Sequence, residues 1–215
     1  MHPKLIVFDM DGTISDSKEG IFFSYCHVAD VLGKPQPTIE ELNESLGGSL
    51  HKNIQKLYDL DDSQVLDAVY IYRDEYSMRG ESLVKPFEGI VECIDKIREK
   101  GMIVSIATLK VQEFAVKLMV DWKIDDRFDS ICGADYEGIL TKADLIRSCM
   151  EHADASKEET VMIGDSMDDL RSARECGVRF IGAAYGFSLS PDRCITEGIS
   201  YAMSPSDIPD IIETM

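Results

Sequence analysis

The sequence predicts an α/β fold: a parallel sheet covered by helices, with an all-helical segment inserted after the first strand. Short apolar runs that end in turn residues indicate buried strands, and they alternate with stretches of helical periodicity along the later part of the chain. Parallel neighbours need helical crossovers, so this alternation favours a sheet with helices on both faces. The segment 17–83 differs, because helical periodicity continues through almost all of it.

The predicted strands are the apolar runs Leu5–Phe8, Met102–Ala107, Phe128–Cys132, Thr160–Ile163 and Val178–Gly182. Apolar residues at helical spacing predict neighbouring helices at Ile90–Ile97, Phe114–Met119, Lys142–His152 and Asp168–Cys176. The helical segment separates the first strand from the others. The chain therefore predicts a core domain of residues 1–15 and 84–215, and a small helical domain of residues 16–83.

Helix-end signals divide the inserted segment into several helices. Gly33 is typical of a helix C-terminus. Thr38 followed by Glu41 resembles a capping box, and Asp61 or Asp62 can cap a last long helix.

The most informative segment is Asp9-Met10-Asp11-Gly12-Thr13, which directly follows the first predicted strand. Ligands of open α/β sheets bind at the carboxyl ends of the strands. Carboxylates at such a buried edge are costly unless they bind a metal, pair with a cation or take part in chemistry. Gly12 lets the backbone turn sharply behind the second carboxylate. Asp9 and Asp11 are thus candidate catalytic residues, and the alternative is that they only cap the turn.

Polar residues also end two later strands, at the same predicted edge of the sheet. Thr108 follows the run that ends at Ala107, and Asp165 follows the run Thr160–Ile163 by two residues. Between them along the chain, Lys142 begins a predicted helix. The alternative for Lys142 is a solvated surface lysine, and the alternative for Asp165 is a helix N-cap.

Aspartates, a hydroxyl, a lysine and further aspartates, in this order along a βα-alternating chain, resemble the haloacid dehalogenase superfamily. The segment Asp9–Ser17 is most similar to its phosphoglycolate phosphatase-like branch, and the agreement in motif order extends over nearly the whole chain. The resemblance implies a Rossmann-like core sheet, a small α-helical cap inserted into it and Mg²⁺ as cofactor.

The resemblance also implies roles for the matching residues. Asp9 would be the nucleophile that forms an aspartyl-phosphate, and Asp11 the general acid and base. Asp9, Asp165 and the backbone carbonyl of Asp11 would bind Mg²⁺, which prefers oxygen ligands. Thr108 would bind a phosphate oxygen, and Lys142 would pair with Asp9 and the phosphate.

Other core residues are weaker candidates. Asp169 lies four residues after Asp165 and would support the metal site. Asp168 would rather cap the helix or face solvent. Lys110 would contact substrate, with a surface lysine as its alternative.

Three candidates lie in the helical segment. Gly47 and Gly48 resemble a glycine-containing substrate loop, although a plain turn explains them too. Arg73 is a candidate substrate contact, with a solvent-facing position as the more common alternative. The stretch 38–58 contains no arginine, which disfavours a sugar-phosphate mutase that must bind a second phosphate.

Composition limits the partners. The formal net charge is -18, which disfavours nucleic acid and anionic membranes. No apolar run approaches the length of a membrane span, no signal peptide precedes the first strand, and the six scattered cysteines are typical of a reducing compartment. We expect a cytoplasmic protein, monomeric or homodimeric.

The predicted function is that of a Mg²⁺-dependent phosphatase acting on a small phosphate monoester, such as phosphoglycolate, a nucleotide or a sugar phosphate. On the same fold, a β-phosphoglucomutase-type phosphotransferase and a pyrophosphatase are alternatives. An alternative of another class is a non-catalytic sensor of a phosphorylated ligand.

Overall fold

The computed structural model describes residues 3–215 of the chain. Its strands are β1 Leu5–Phe8, β2 Ser15–Asp16, β3 Lys85–Pro86, β4 Ile103–Val111, β5 Ser130–Ala134, β6 Thr160–Gly164, β7 Arg179–Ala183 and β8 Ser200–Ala202. Its α-helices are α1 Lys18–Leu32, α2 Ile39–Glu44, α3 Leu50–Tyr58, α4 Asp62–Met78, α5 Ile90–Glu99, α6 Gln112–Asp121, α7 Lys142–His152, α8 Met167–Cys176, α9 Pro191–Glu197 and α10 Ile208–Glu213. Residues 1 and 2, which the predicted core domain includes, lie outside the described part of the chain.

The described residues form a six-stranded core sheet in the order β5-β4-β1-β6-β7-β8. Every neighbouring pair in it is parallel. β1 lies inside the sheet, because Phe8 is opposite Ile106 of β4 on one side and Ile163 of β6 on the other. The predicted α/β fold is thereby confirmed. The short strand β8 was not predicted.

β1 is buried on both of its faces. Each residue from Leu5 to Phe8 is 0% exposed. Leu5 and Val7 belong to one hydrophobic cluster with Ile146 of α7 and Leu170 of α8. Side chains alternate along a strand, so the other two residues of β1 face the opposite side of the sheet. A one-residue slip would move every side chain to the opposite face and break this packing, so the packing on both faces fixes the register and with it the position of the residues that follow Phe8.

β4 is irregular near its carboxyl end. Thr108 pairs with Gly133 of β5, but the next paired residue on β4 is Val111, opposite Ala134. β4 therefore gains two residues relative to β5 and continues to Val111, beyond the predicted run that ends at Ala107. Such bulges re-aim side chains and are common next to active sites.

The inserted segment is a compact unit, Asp16–Lys85, that contains α1–α4. Within it α4 packs against α1 and α3. The rings of Tyr25 and Tyr72 are 4.8 Å apart, and the Tyr58 hydroxyl donates to the Tyr25 carbonyl oxygen at 2.5 Å. The predicted all-helical insertion is confirmed.

The predicted helix ends of this unit are also present. Gly33 ends α1 with a φ of 62°. Thr38 and Glu41 form a capping box at α2, and Asp61 caps α4 by accepting from the backbone N–H groups of Ser63 and Gln64.

The other compact unit consists of the described residues up to Ser15 together with Pro86–Met215. The first boundary coincides with the predicted one, whereas the return to the core unit lies at Pro86 rather than at residue 84. That the two units are independent domains stays a prediction. Within residues 3–215, no helix is both long and apolar enough to cross a membrane.

Candidate active site

Asp9 lies directly beyond β1, at the carboxyl edge of the core sheet. Its N–H donates to the carbonyl oxygen of Ile163 at 2.8 Å, so its backbone remains tied to β6. The residue is 7% exposed. The rigid, buried strand thus delivers this carboxylate to the ligand-binding edge of the fold.

Lys142, the first residue of α7, connects three parts of the core unit. Its ammonium group forms ion pairs with Asp9 and with Asp169 (Nζ to Oδ1, 2.9 Å) and donates to the Ala107 carbonyl oxygen at 3.1 Å. The side chain is 6% exposed, so the surface-lysine alternative is wrong. Burial lowers the pKa of Lys142, but the carboxylates of Asp169 and Asp9 outweigh burial and raise that pKa above its usual value. Lys142 therefore stays charged at neutral pH.

Three buried carboxylates form a cluster around this lysine. Oxygens of Asp9, Asp165 and Asp169 all lie within 4.8 Å of one another. Burial raises the pKa of Asp9 to about 7; Lys142 opposes the shift, and the carboxylates of Asp169 and Asp11 reinforce it. Burial, followed by repulsion from Asp169 and Asp9, raises the pKa of Asp165 well above its usual value. At neutral pH a further cation is therefore needed to keep both Asp9 and Asp165 ionised.

The start of α8 holds Asp169 in this cluster. Ser166 is the N-cap of α8, and Asp169 Oδ2 accepts from the Ser166 hydroxyl at 2.6 Å and from its N–H at 3.1 Å. The alternative reading of Asp165 as the N-cap is therefore wrong. Asp168 does not cap the helix either; its side chain faces solvent, the second of its two alternatives, and pairs with Arg171 at 2.6 Å.

Asp11 is held by a different cation. Its Oδ2 lies 3.1 Å from the Lys110 ammonium group, and its Oδ1 accepts from the Ser15 hydroxyl at 3.3 Å. The Lys110 side chain is 6% exposed, so the surface alternative for Lys110 is wrong. The Asp11 carboxylate is separate from the three-carboxylate cluster. The predicted contribution of Asp11 to metal binding was its backbone carbonyl, and that stays a prediction.

Thr108 lies on β4, which pairs with β1, the strand that Asp9 follows. The residue is 1% exposed, and its hydroxyl oxygen accepts from the Lys110 N–H at 3.1 Å. A hydroxyl that accepts one hydrogen bond can still donate its own proton. The position thus suits the predicted contact with a phosphate oxygen, a role that stays a prediction.

A loop that the sequence analysis missed holds the site together from the β7 side. The Tyr185 hydroxyl donates to the Thr13 carbonyl oxygen at 2.8 Å, and the Phe187 N–H donates to Asp165 Oδ2 at 2.7 Å. Gly186 lies between Tyr185 and Phe187. A Cβ on Gly186 would overlap the Gly12 carbonyl oxygen and the Asp165 side chain. A glycine between aromatic residues, shortly after a strand at the same edge of the sheet, was the available signal.

The remaining three candidates lie in the helical unit. Gly47 and Gly48, with φ of 77° and 69°, connect α2 to α3, and the Asn53 side chain donates to the Gly47 carbonyl oxygen at 2.8 Å. Arg73 lies on α4 and is 7% exposed, so its expected solvent-facing alternative is wrong. A substrate-binding role for these three residues stays a prediction.

The charge balance of the core site fits a divalent cation. Four carboxylates (Asp9, Asp11, Asp165 and Asp169) meet two ammonium groups, so the formal charge is four negative against two positive, or -2. All of these acidic ligand atoms are hard oxygens, as Mg²⁺ prefers, and Mg²⁺ sites need only one or two protein carboxylates. The donor set therefore fits Mg²⁺ at Asp9 and Asp165, with Asp169 in support.

The sequence matches the haloacid dehalogenase-like hydrolase family over residues 6–183. The chain belongs to this family. It is therefore an enzyme of the hydrolase type, and the resemblance seen in the motifs is confirmed.

Known proteins similar to this chain agree with the assignment. A 5'-nucleotidase of Pseudomonas aeruginosa is 30% identical over 97% of this chain and 95% of its own length. A phosphoglycolate phosphatase of Agrobacterium fabrum is 28% identical over 87% of this chain and 83% of its own. The crystal structure of a predicted phosphatase from Clostridium acetobutylicum superposes with a TM-score of 0.93 at 27% identity and covers 100% of both chains.

Proposed function

We propose that this hydrolase is a Mg²⁺-dependent phosphatase that cleaves small phosphate monoesters through an aspartyl-phosphate on Asp9. The observation that carries the proposal is the buried ion-pair network in which Lys142 contacts both Asp9 and Asp169, with Asp165 beside them. In phosphoryl transfer by a carboxylate, an anionic nucleophile attacks an anionic substrate. A buried lysine beside the carboxylate, together with a carboxylate cluster that can bind a metal, supplies the positive charge that this reaction needs.

In the first half-reaction, a carboxylate oxygen of Asp9 attacks phosphorus while the bond to the leaving oxygen breaks. Asp11, two residues further on, protonates that oxygen. Lys142 and the Thr108 hydroxyl stabilise the charge on the phosphoryl oxygens. The leaving alcohol then departs.

In the second half-reaction, water hydrolyses the aspartyl-phosphate. Asp11 has lost its proton and now accepts one from the attacking water, so one residue serves both steps. Asp9 is regenerated as a carboxylate paired with Lys142. Mg²⁺, when bound at Asp9 and Asp165, supplies positive charge that lowers the repulsion between nucleophile and phosphate.

Nucleoside 5'-monophosphates are the first substrates to test. The 5'-nucleotidase relative aligns with nearly the whole chain, including the inserted segment. Phosphoglycolate and sugar phosphates come next, because a relative of similar identity is a phosphoglycolate phosphatase.

The experiment is a phosphate-release screen with purified protein, Mg²⁺ and a panel of nucleoside monophosphates, phosphoglycolate, sugar phosphates and pyrophosphate. We expect release from at least one monoester, loss of release in chelator, and competition by Ca²⁺, which accepts looser geometry than Mg²⁺. Acid-quenched protein should carry a phosphoryl group on Asp9 by mass spectrometry.

Other outcomes would favour other functions. Preference for pyrophosphate would indicate a pyrophosphatase. Turnover that depends on a sugar bisphosphate would indicate a phosphotransferase of the mutase type. Binding of a monoester without any release would indicate a phospho-ligand sensor and would contradict the proposal.

A further inference from the structure

Two buried lysines contact different acidic groups of the site. Lys142 contacts Asp9 and Asp169, whereas Lys110 contacts Asp11. The role of Lys142 follows from its contact with the nucleophile. The ammonium group of Lys110 lies instead beside Asp11, the proposed acid and base.

The bulge in β4 is what brings Lys110 to this place. Lys110 is one of the two extra residues between the paired positions Thr108 and Val111, and its N–H donates to the Thr108 hydroxyl oxygen at 3.1 Å. Opposite the bulge, a Cβ on Gly133 would lie 2.9 Å from the Lys110 carbonyl oxygen. A regular strand has no room for the two extra residues of β4. The bulge, with Gly133 opposite it, therefore directs the Lys110 side chain toward Asp11.

The contact with Lys110 fixes both oxygens of the Asp11 carboxylate. Oδ2 lies 3.1 Å from the ammonium group, and Oδ1 accepts from the Ser15 hydroxyl at 3.3 Å. The Lys110 side chain is 6% exposed and that of Asp11 24%, so water competes little for the ammonium group. Without Lys110, Ser15 alone would not define the orientation of the carboxylate.

A general acid must lie within hydrogen-bond reach of the leaving oxygen, and small misplacements reduce the rate strongly. We infer that Lys110 is a positioning residue that holds the Asp11 carboxylate in the orientation needed for proton transfer to and from the substrate oxygens. The inference rests on the proposed phosphatase function. It differs from the expectation that Lys110 binds substrate, because Lys110 here acts through Asp11.

The test compares Lys110→Met, which keeps side-chain length without charge, with Lys110→Arg, which keeps the charge. Lys117→Met is the matched control, since it removes an equally charged side chain that is 53% exposed on α6 and paired with Asp121. Each variant is assayed with Mg²⁺ on an alkyl phosphate from the screen and on an aryl phosphate. Inhibition by inorganic phosphate is measured on the same preparations.

We expect Lys110→Met to lower kcat on the alkyl phosphate about 10- to 100-fold, the size of effect that a misplaced catalytic group produces. The burst of aryl alcohol should remain near that of the parent protein, because an aryl oxygen leaves without a proton. Aspartyl-phosphate should then accumulate, since the second step still needs Asp11 as base. Lys110→Arg should recover part of kcat, and phosphate inhibition should not change. Lys117→Met should behave like the parent protein.

Three results would overturn the inference while leaving the phosphatase intact. They are unchanged alkyl turnover in Lys110→Met, equal losses in alkyl turnover and aryl burst, and weaker inhibition by phosphate, which would make Lys110 a direct phosphate ligand. A parent protein that releases phosphate from no monoester would instead refute the proposed function, and this inference with it.

Discussion

The residues of the site differ in how well the sequence reveals them. Asp9 and Asp165 were predictable because each follows an apolar strand, and the ends of neighbouring parallel strands meet. Lys110 was a candidate for substrate contact, but its ion pair with Asp11 was not predictable, because it depends on a bulge in β4 that no apolar pattern indicates. The hydrogen bonds between Ser166 and Asp169 form only if α8 begins directly after Ser166, and periodicity alone does not predict that start.

Asp9→Asn should abolish turnover, because an amide is not a competent nucleophile toward phosphorus. The buried ammonium group of Lys142 would keep Asp169 as its acidic partner, so we expect the variant to fold. Phosphate release and acid-stable phosphorylation are the measurements, with mass spectrometry to detect deamidation back to Asp. Turnover near the parent rate in protein that has not deamidated would rule out the covalent mechanism.

Asp11→Asn should lower turnover of alkyl phosphates by about 10²–10⁴-fold, the usual contribution of a positioned acid or base. The change leaves the proposed backbone ligand in place, so Mg²⁺ should still bind. The first turnover of an aryl phosphate should be affected much less. Rapid-quench measurement of the aryl burst beside steady-state alkyl turnover checks both points, and equal losses in the two would give Asp11 a structural role.

At the scale of elements, packing decides what periodicity cannot. The five predicted strands all form, because each contains an apolar run that the sheet buries. β8 and α9 were missed, since Tyr201 of β8 is only partly buried and only Cys194 of α9 is buried. The loop after β7 was also missed. Its contacts with the site involve backbone groups and the close packing of Gly186 against Asp165, which patterns of side-chain type do not reveal.

Gly186→Ala should weaken Mg²⁺ binding about 10- to 100-fold, as loss of support behind a metal ligand typically does. The added methyl group would overlap the Gly12 carbonyl oxygen and the Asp165 side chain, so the loop must move and Asp165 with it. Overpacking of this kind costs about 1–3 kcal/mol in the free energy of unfolding. Calorimetric titration with Mg²⁺ and thermal unfolding measure the two effects.

Gly198→Ala provides the control. Gly198 has a φ of 67° and no heavy atom within 4 Å of an added Cβ, so its replacement introduces backbone strain without a clash. The control should lose about 1–2 kcal/mol of stability through that strain and retain its Mg²⁺ affinity. Equal Mg²⁺ affinities in the two variants would show that the loop does not support Asp165.

At the scale of the whole molecule, acidity and metal binding are coupled. The formal net charge of -18 means that any divalent cation will screen general repulsion. A specific site must therefore be recognised by its dependence on pH and on particular residues. The buried cluster supplies such a signature, because Asp9 and Asp165 hold protons at a pH where exposed carboxylates have lost theirs.

Without metal, the free energy of unfolding should fall as the pH rises from about 4 to above 7. The pKa of Asp9 is about 7 in the folded protein and near 3.8 when unfolded, and that of Asp165 is displaced in the same direction. Between these values the folded protein binds more protons than the unfolded chain, so raising the pH favours unfolding. At about 1.4 kcal/mol per pKa unit, the effect for Asp9 is on the order of a few kcal/mol. Hydrogen bonds from Thr141 and Ser156 lower the pKa values of the exposed carboxylates of Asp144 and Glu159. These two groups therefore stabilise the folded protein across this range and lose that effect only at lower pH.

Mg²⁺ binds the deprotonated cluster, so the rise in Tm that it causes should be small near pH 5 and grow toward pH 8. Thermal unfolding in Mg²⁺ and in chelator, across this range, measures the difference. Asp165→Asn is the control, because it removes a ligand while changing the net charge of -18 by only one unit. General screening by the cation would act alike on both proteins, whereas site binding should give the pH-dependent rise only in the parent. A rise that is the same at all pH values, or equal in the variant, would mean that Mg²⁺ does not bind at the carboxylate cluster.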